Sequence, residues 1–179
     1  CGKFRRGIPF WYDNSATYTK IASGDTSDIT NSIGYFIAKL NSNGQVLWHT
    51  HTDMEPWHVT YAPNGKIIVA GELGTYYEQD KDTSWIVSPF ILDTWPQSLL
   101  WIDTLAGRLD KFSIVRQTGP NYRKIKAITT DKESNLIAIG AFEDNITFYT
   151  PGLTDSLSIS IPQFTTSDNK FYAVKYDSS

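Results

Sequence analysis

Val59-Thr60-Tyr61-Ala62-Pro63-Asn64-Gly65-Lys66-Ile67-Ile68-Val69-Ala70-Gly71 reads as apolar strand, polar turn, apolar strand, glycine. Asn-Gly tolerates positive φ and is the strongest short hairpin signal. The phrase returns as Ile128-Thr129-Thr130-Asp131-Lys132-Glu133-Ser134-Asn135-Leu136-Ile137-Ala138-Ile139-Gly140. A second phrase, Tyr35-Phe36-Ile37-Ala38-Lys39-Leu40, turns through Asn41-Ser42-Asn43-Gly44 into Gln45-Val46-Leu47-Trp48-His49-Thr50. Lys170 to Ser178 echoes its first half, and Pro89 to Thr94 is a weaker copy. Leu47-Trp48 is echoed by Leu100-Trp101.

Period-two alternation bounded by turn residues predicts an all-β chain of antiparallel hairpins. Leu105 to Val115 is the best helical possibility, but it is short and contains Gly107. Repeats of about 40–50 residues holding four short strands are the signature of β-propeller blades. The pattern implies about three propeller-like blades in an incomplete ring. Residues 1–30 form a separate N-terminal segment, and 31–179 the repeat region. The candidate core is Val59, Ile67, Val69, Ile128, Leu136, Ala138, Trp48 and Trp101.

These phrases resemble a known family, the bacterial repeats of predicted seven-bladed β-propellers (SBBP-type) related to the NHL and YVTN groups. That family alternates a phrase like "aVDssGNiYVtG" with one like "dsFVaKldssGnllW". The first matches Val59–Gly71 and Ile128–Gly140. The second matches Tyr35–Trp48, loosely Pro89–Trp101, and in part Lys170–Ser179. The resemblance implies that Asp103–Arg123 and Phe148–Phe164 are blade-edge insertions. Aligning Lys39 with Lys175 sets Ser179 on Asn43, inside a hairpin. Natural propellers use at least four blades. The resemblance therefore implies a piece of a larger propeller, or one that pairs with further blades or another chain.

Composition bounds the function. The 179 residues carry 16 basic and 19 acidic side chains, a net charge of −3. Nucleic-acid binding needs a basic face to neutralise phosphates, and this balance argues against it. No apolar run approaches the ~18 residues of a membrane span. The single cysteine is Cys1, so no disulfide forms within the chain. Cys1-Gly2-Lys3 looks like the mature end of a bacterial lipoprotein, which makes Cys1 the candidate lipidation site and implies export, to a bacterial cell surface, the outer membrane or the medium. A membrane then matters only through that lipid. Arg5-Arg6 reads as a solvated pair that a membrane surface would also suit.

Candidate chemistry is sparse. Trp48-His49-Thr50-His51-Thr52-Asp53 puts His49, His51 and Asp53 on one face of a strand, with His58 close by. Two imidazoles and a carboxylate suit zinc. Strand alternation alone also yields this pattern, and we read the histidines as an outward polar face without metal. Asp25, Asp28, Asp131 and Asp144 lie in polar turns, where aspartate accepts backbone hydrogen bonds; calcium-loop spacing is absent. Trp11, Trp57, Trp85 and Trp95 are either blade-core residues or stacking platforms, with Trp57 and Trp95 the ligand-stacking candidates. No nucleophile elbow, phosphate loop or metalloprotease motif occurs. The expected function is non-catalytic: a binding or structural module recognising protein or glycan at the blade loops, with no cofactor. Two alternatives stand beside it. One is a propeller-based hydrolase or lyase acting on glycans, with its groups around His58 and Lys126. The other is a structural subunit of a multichain surface assembly.

Overall fold

The hairpin turns at Asn43-Gly44, Asn64-Gly65 and Ser134-Asn135 all form, by one device. The amides of Gly44, Gly65 and Ser134 donate to the carbonyls of Asn41, Ala62 and Asp131, each at 3.0 Å. The donating residue is left-handed in every case, with φ of 80°, 81° and 69°. A polar side chain then holds the loop: Asn41 Oδ1 accepts from the Asn43 and Gln45 amides, and Asp131 Oδ1 from those of Glu133 and Asn135. A type I turn followed by a left-handed residue matches the twist of the flanking strands.

The structure, a computed structural model, describes residues 1–5, 8–11, 18–21, 33–52, 54–72, 76–79, 82–85, 96–118, 124–151, 154–160 and 170–178. It is all-β, and no helix occurs among the described residues. The strands are β1 (Gly2–Arg5), β2 (Ile8–Trp11), β3 (Tyr18–Ile21), β4 (Ile33–Leu40), β5 (Val46–Thr52), β6 (Pro56–Ala62), β7 (Lys66–Glu72), β8 (Tyr76–Gln79), β9 (Asp82–Trp85), β10 (Gln97–Asp103), β11 (Leu109–Thr118), β12 (Ile125–Thr130), β13 (Leu136–Phe142), β14 (Asn145–Tyr149), β15 (Ser156–Ser160) and β16 (Lys170–Tyr176). Every strand pair is antiparallel.

Three blade-like units follow one another. The middle one is the four-stranded run β6-β7-β10-β11; the last is β12-β13-β16; the first is β1-β4-β5. Each carries an extra hairpin between its second and third repeat strands. The hairpin β8–β9 leaves the middle unit and pairs with β5 of the first. The hairpin β14–β15 leaves the last unit and pairs with β11 of the middle one, Val115 opposite Phe148. The third such hairpin, β2–β3, makes a two-stranded sheet of its own.

Register confirms the first repeat at single-residue level. Val59 opposes Val69 as Ile128 opposes Ala138, and Pro56 opposes Gly71 as Ile125 opposes Gly140. Both inner strands bulge at the same place, leaving Trp57 and Lys126 as the extra residues.

The Leu-Trp echo is corrected. Lys39 opposes Trp48 and Trp101 opposes Lys111, each just before a bulge. The two tryptophans therefore sit on opposite members of equivalent hairpins, with Trp and Lys exchanged. Lys111 Nζ lies 5.6 Å from the Trp101 ring centre. Leu105–Val115 is not helical: a turn through Gly107 (φ 69°) leads into β11. Much of the length expected as an insertion from Asp103 is thus the outer strand of a blade. Pro89–Thr94 lies outside the described residues.

The middle sheet is covered on both faces. Ile68, Ala70, Leu99, Trp101 and Val115 pack toward the last unit, against Leu136, Ala138, Tyr172 and Tyr176. Val69, Leu100 and Ile102 pack the other way, against Ile37, Trp48 and Met54. Two-sided burial explains why Ile67-Ile68-Val69-Ala70 is a continuous apolar run rather than an alternation. Trp48, Val69, Trp101, Leu136 and Ala138 are buried as expected. Ile67 and Ile128 are half-buried at the cluster margins. Val59 is 55% exposed and its same-face neighbour Tyr61 62%, against expectation. Ile128 holds the same repeat position and packs against the middle unit; the first unit has no inner strand among the described residues to cover Val59 likewise.

Ser134 occupies a left-handed position where the matching hairpin has glycine, and its buried Oγ accepts the Asn64 amide at 2.9 Å, tying two units together. Ser134→Ala keeps the backbone strain and loses the acceptor, an expected cost of about 1–2 kcal/mol. Ser134→Gly loses the acceptor but removes a left-handed penalty of about 1–2 kcal/mol, so it should be near neutral. Urea midpoints for the two variants check that order.

Candidate functional site

The inner strands β6 and β12 begin side by side, and their bulges shape the rim there. A bulge frees backbone groups of the ladder and re-aims side chains. Both backbone groups of Ile125 are taken up by the middle unit. Its amide donates to Gln97 Oε1 at 2.5 Å, and its carbonyl lies 3.1 Å from His58 Nε2. A carbonyl only accepts, so Nε2 carries the proton in that contact. His58 thus links two inner strands through its Nε2.

At the same rim Trp57 is half-buried, and Lys124 Nζ lies 4.3 Å from its ring centre, a cation–π contact. Lys124 and Lys126 are exposed. Glu55, one residue before β6, accepts a 3.2 Å hydrogen bond from the Tyr35 hydroxyl. The rim thus offers an aromatic face, two ammonium groups and a carboxylate. Such a set suits recognition of a polar or anionic group.

The sequence candidates fall as follows. Trp57 lies at this rim. Trp95 lies outside the described residues. Trp11 and Trp85 sit in β2 and β9, their side chains outside what is described. His49 is half-buried on β5 opposite Ala38, and Trp48 beside it is turned into the core, as alternation requires. His51 follows two residues on in the same strand, and Asp53 lies outside the described residues. Among the described residues, no group of three or more His, Cys, Asp or Glu could hold a metal ion. Cys1 is exposed with a free thiol. Asp25 and Asp28 are outside the described residues, and Asp144 is half-buried.

Asp131 is a turn aspartate in the expected sense. The Lys175 ammonium at 2.8 Å and the Asn135 side-chain amide hold its carboxyl well below the usual 3.8. Asp103 is lowered in the same direction, chiefly by the amides of Ala106 and Leu105. A carboxyl depressed in the fold stabilises it above its unfolded value, and the contribution is lost as pH falls from there toward the folded one. Asp131→Asn should therefore flatten the acid limb of the stability–pH profile below about pH 4 and leave the slope near neutrality unchanged. Urea midpoints measured from pH 7 to pH 2.5 test this (roughly the range where an exposed carboxyl titrates).

Sequence reading missed Lys124 and the Tyr35–Glu55 bond, which bring together residues distant in the chain. One signal was present: Trp57 and Lys126 each stand two residues before the start of the repeated phrase. No protein-family model matches the chain, and no curated protein matches it. The likeness to propeller repeats rests on the residues quoted above.

Proposed function

We propose that this chain is a non-catalytic binding or structural module of a bacterial surface, built from β-propeller repeats. Its rim at the starts of β6 and β12 recognises protein or glycan. The observation that supports this most is the paired bulge: the same repeat position presents Trp57 in one unit and Lys126 in the next, with Lys124 over the indole. Aromatic faces stack on sugar rings and apolar side chains, and ammonium groups add selectivity for anionic ones. The exposed Cys1 thiol is the proposed lipid attachment point, anchoring the module to a membrane.

The test is a titration with a soluble anionic polysaccharide, polygalacturonate, and with its neutral counterpart, read by tryptophan fluorescence. Binding to the anionic form should weaken by about tenfold, ~1.4 kcal/mol, in Trp57→Ala. Appearance of new reducing ends or unsaturated products during the titration would instead support the glycan-cleaving alternative. No binding to either polymer, with no effect of Trp57→Ala on any protein ligand recovered, would defeat the rim reading.

A further inference from the structure

A strand at the edge of a sheet offers amides and carbonyls to any other strand, and folds guard such edges with charge, proline or a bulge. Among the described strands, every sheet edge but one is guarded in this way. β1 carries Lys3 and Arg5, β3 Lys20, β9 Asp82, and β16 Lys170 and Lys175. β2 carries Pro9. β6 has Pro56 and a bulge, and β12 has Lys126 and a bulge. The unguarded edge is β15. Its residues Ser156-Leu157-Ser158-Ile159-Ser160 include no charge and no proline, and they pair with β14 without a register shift.

Every residue of β15 is exposed, Leu157 to 58% and Ile159 to 38%. Among the described residues, only β14 pairs with it. Leu157 lies opposite Phe148 and Ile159 opposite Ile146, and residues directly opposite share a face. Phe148 and Ile146 are buried in the core that joins the middle and last units. β15 therefore carries that apolar face onward into solvent. Its serines lie on the other face, where the Ser158 and Thr147 hydroxyls are 2.9 Å apart. Asp155 stands just outside the strand, its Oδ1 taken up by the Ser156 amide at 2.7 Å.

The order of residues says which strand fits this edge. The segment reads the same by class from either end: serine, apolar, serine, apolar, serine. Two such strands, antiparallel and centred on Ser158, set Leu157 opposite Ile159 of the other strand and Ser156 opposite Ser160. Ser158 then meets its own counterpart. Apolar residues oppose apolar ones on one face and serine opposes serine on the other, with no like charges brought together. A slip of one residue would set every serine against an apolar side chain. The favoured register is the one a twofold axis imposes on two copies of the same strand.

We propose that β15 pairs antiparallel with β15 of a second copy about a twofold axis at Ser158, joining two six-stranded sheets into one. Main-chain hydrogen bonds hold the added strand, and Leu157 and Ile159 fix its register. The contact is isologous and uses each β15 edge once, so it closes at two chains. The rim at Trp57 lies on β6, the opposite edge strand of the same sheet, so the pairing does not depend on what that rim binds.

Light scattering on the purified chain across a concentration series is the first test. The expected mass rises to twice the chain's own and stops there. A single-chain mass throughout, or a mass that keeps growing, overturns the proposal. Ser158→Lys and Ser158→Glu each place like charges directly opposite at the axis and should weaken pairing by about tenfold or more. An equal mixture of the two sets Lys against Glu and should restore the dimer. A pairing unchanged in either variant alone, or not restored by mixing, overturns the twofold register. Ser158 is exposed, so both variants should keep the urea midpoint of the native chain. If either fails to fold, Leu157→Glu mixed with Ile159→Lys reads the same register, because those two positions oppose one another across the axis, and the same outcomes decide.

Discussion

Trp48→Ala is expected to lower the unfolding free energy by about 3–5 kcal/mol, the range for truncating a large buried aromatic. Trp48 is only 6% exposed and sits with Ile37, Met54, Leu100 and Ile102 between the first and middle units. Its ring also lies on Gly107, so closely that a Cβ there would come within 2.6 Å of a ring carbon. Gly107 has φ of 69°, so the turn it belongs to is held by its own conformation and cannot readily collapse into the space left behind. That keeps the cavity open and puts the cost in the upper part of the range. The indole N–H donates to the Thr104 carbonyl at 2.9 Å, which also accepts from Lys39 Nζ at 2.9 Å. Trp48→Phe retains most of the packing and leaves that carbonyl one donor, so about 1–2 kcal/mol is expected. Urea midpoints for the pair separate packing from the hydrogen bond. An unchanged midpoint in Trp48→Ala would mean that the first and middle units do not pack as described.

The fold class was legible because turn chemistry and strand patterning agree. Gly65 and Ser134 sit at matching places, and the phrases around them pair in matching register, bulges included. What stayed hidden depends on neighbours far along the chain. Val59 has the composition of a core residue, yet whether it is buried depends on a strand from another unit, not on its own hairpin. Trp101 misled for a different reason. A Lys–Trp cross-strand pair packs equally well with its members exchanged, so Leu100-Trp101 matches Leu47-Trp48 by letter and not by place. The interleaving of β8–β9 and β14–β15 with preceding sheets was beyond local reading, since strand pairing between units leaves no mark at short range. At the rim, Trp57 was visible as an aromatic, but its role was not. Only the bulge and the approach of Lys124 distinguish it from a buried blade tryptophan.

Gly71→Ala is expected to cost about 3 kcal/mol or more, at or beyond the upper end of ordinary overpacking. Gly71 and Gly140 occupy the same repeat position, so a shared reading of the repeat would treat them alike, but their neighbours differ. A Cβ on Gly71 would lie 2.3 Å from the Glu55 carbonyl oxygen and 3.1 Å from the Pro56 Cα. Both are backbone atoms at the β6 bulge, and the same carbonyl accepts the Glu72 amide at 3.0 Å. Making room therefore means shifting the bulge and losing that bond, which also moves Trp57 and the rim. A Cβ on Gly140 would instead meet the end of the Tyr172 side chain, 2.5 Å from its hydroxyl. That ring is pinned by Phe148, with centres 5.0 Å apart, and by Phe142 at 6.3 Å, so it yields with difficulty but without breaking the ladder. About 1–2 kcal/mol is expected for Gly140→Ala, within the overpacking range, and Tyr172→Leu in the same chain should recover part of it. Unfolding midpoints for the two alanine variants, with the double variant, test the ordering. Equal costs at both glycines would mean that the Glu55 carbonyl moves away freely, and that the bulge carrying Trp57 shifts without loss.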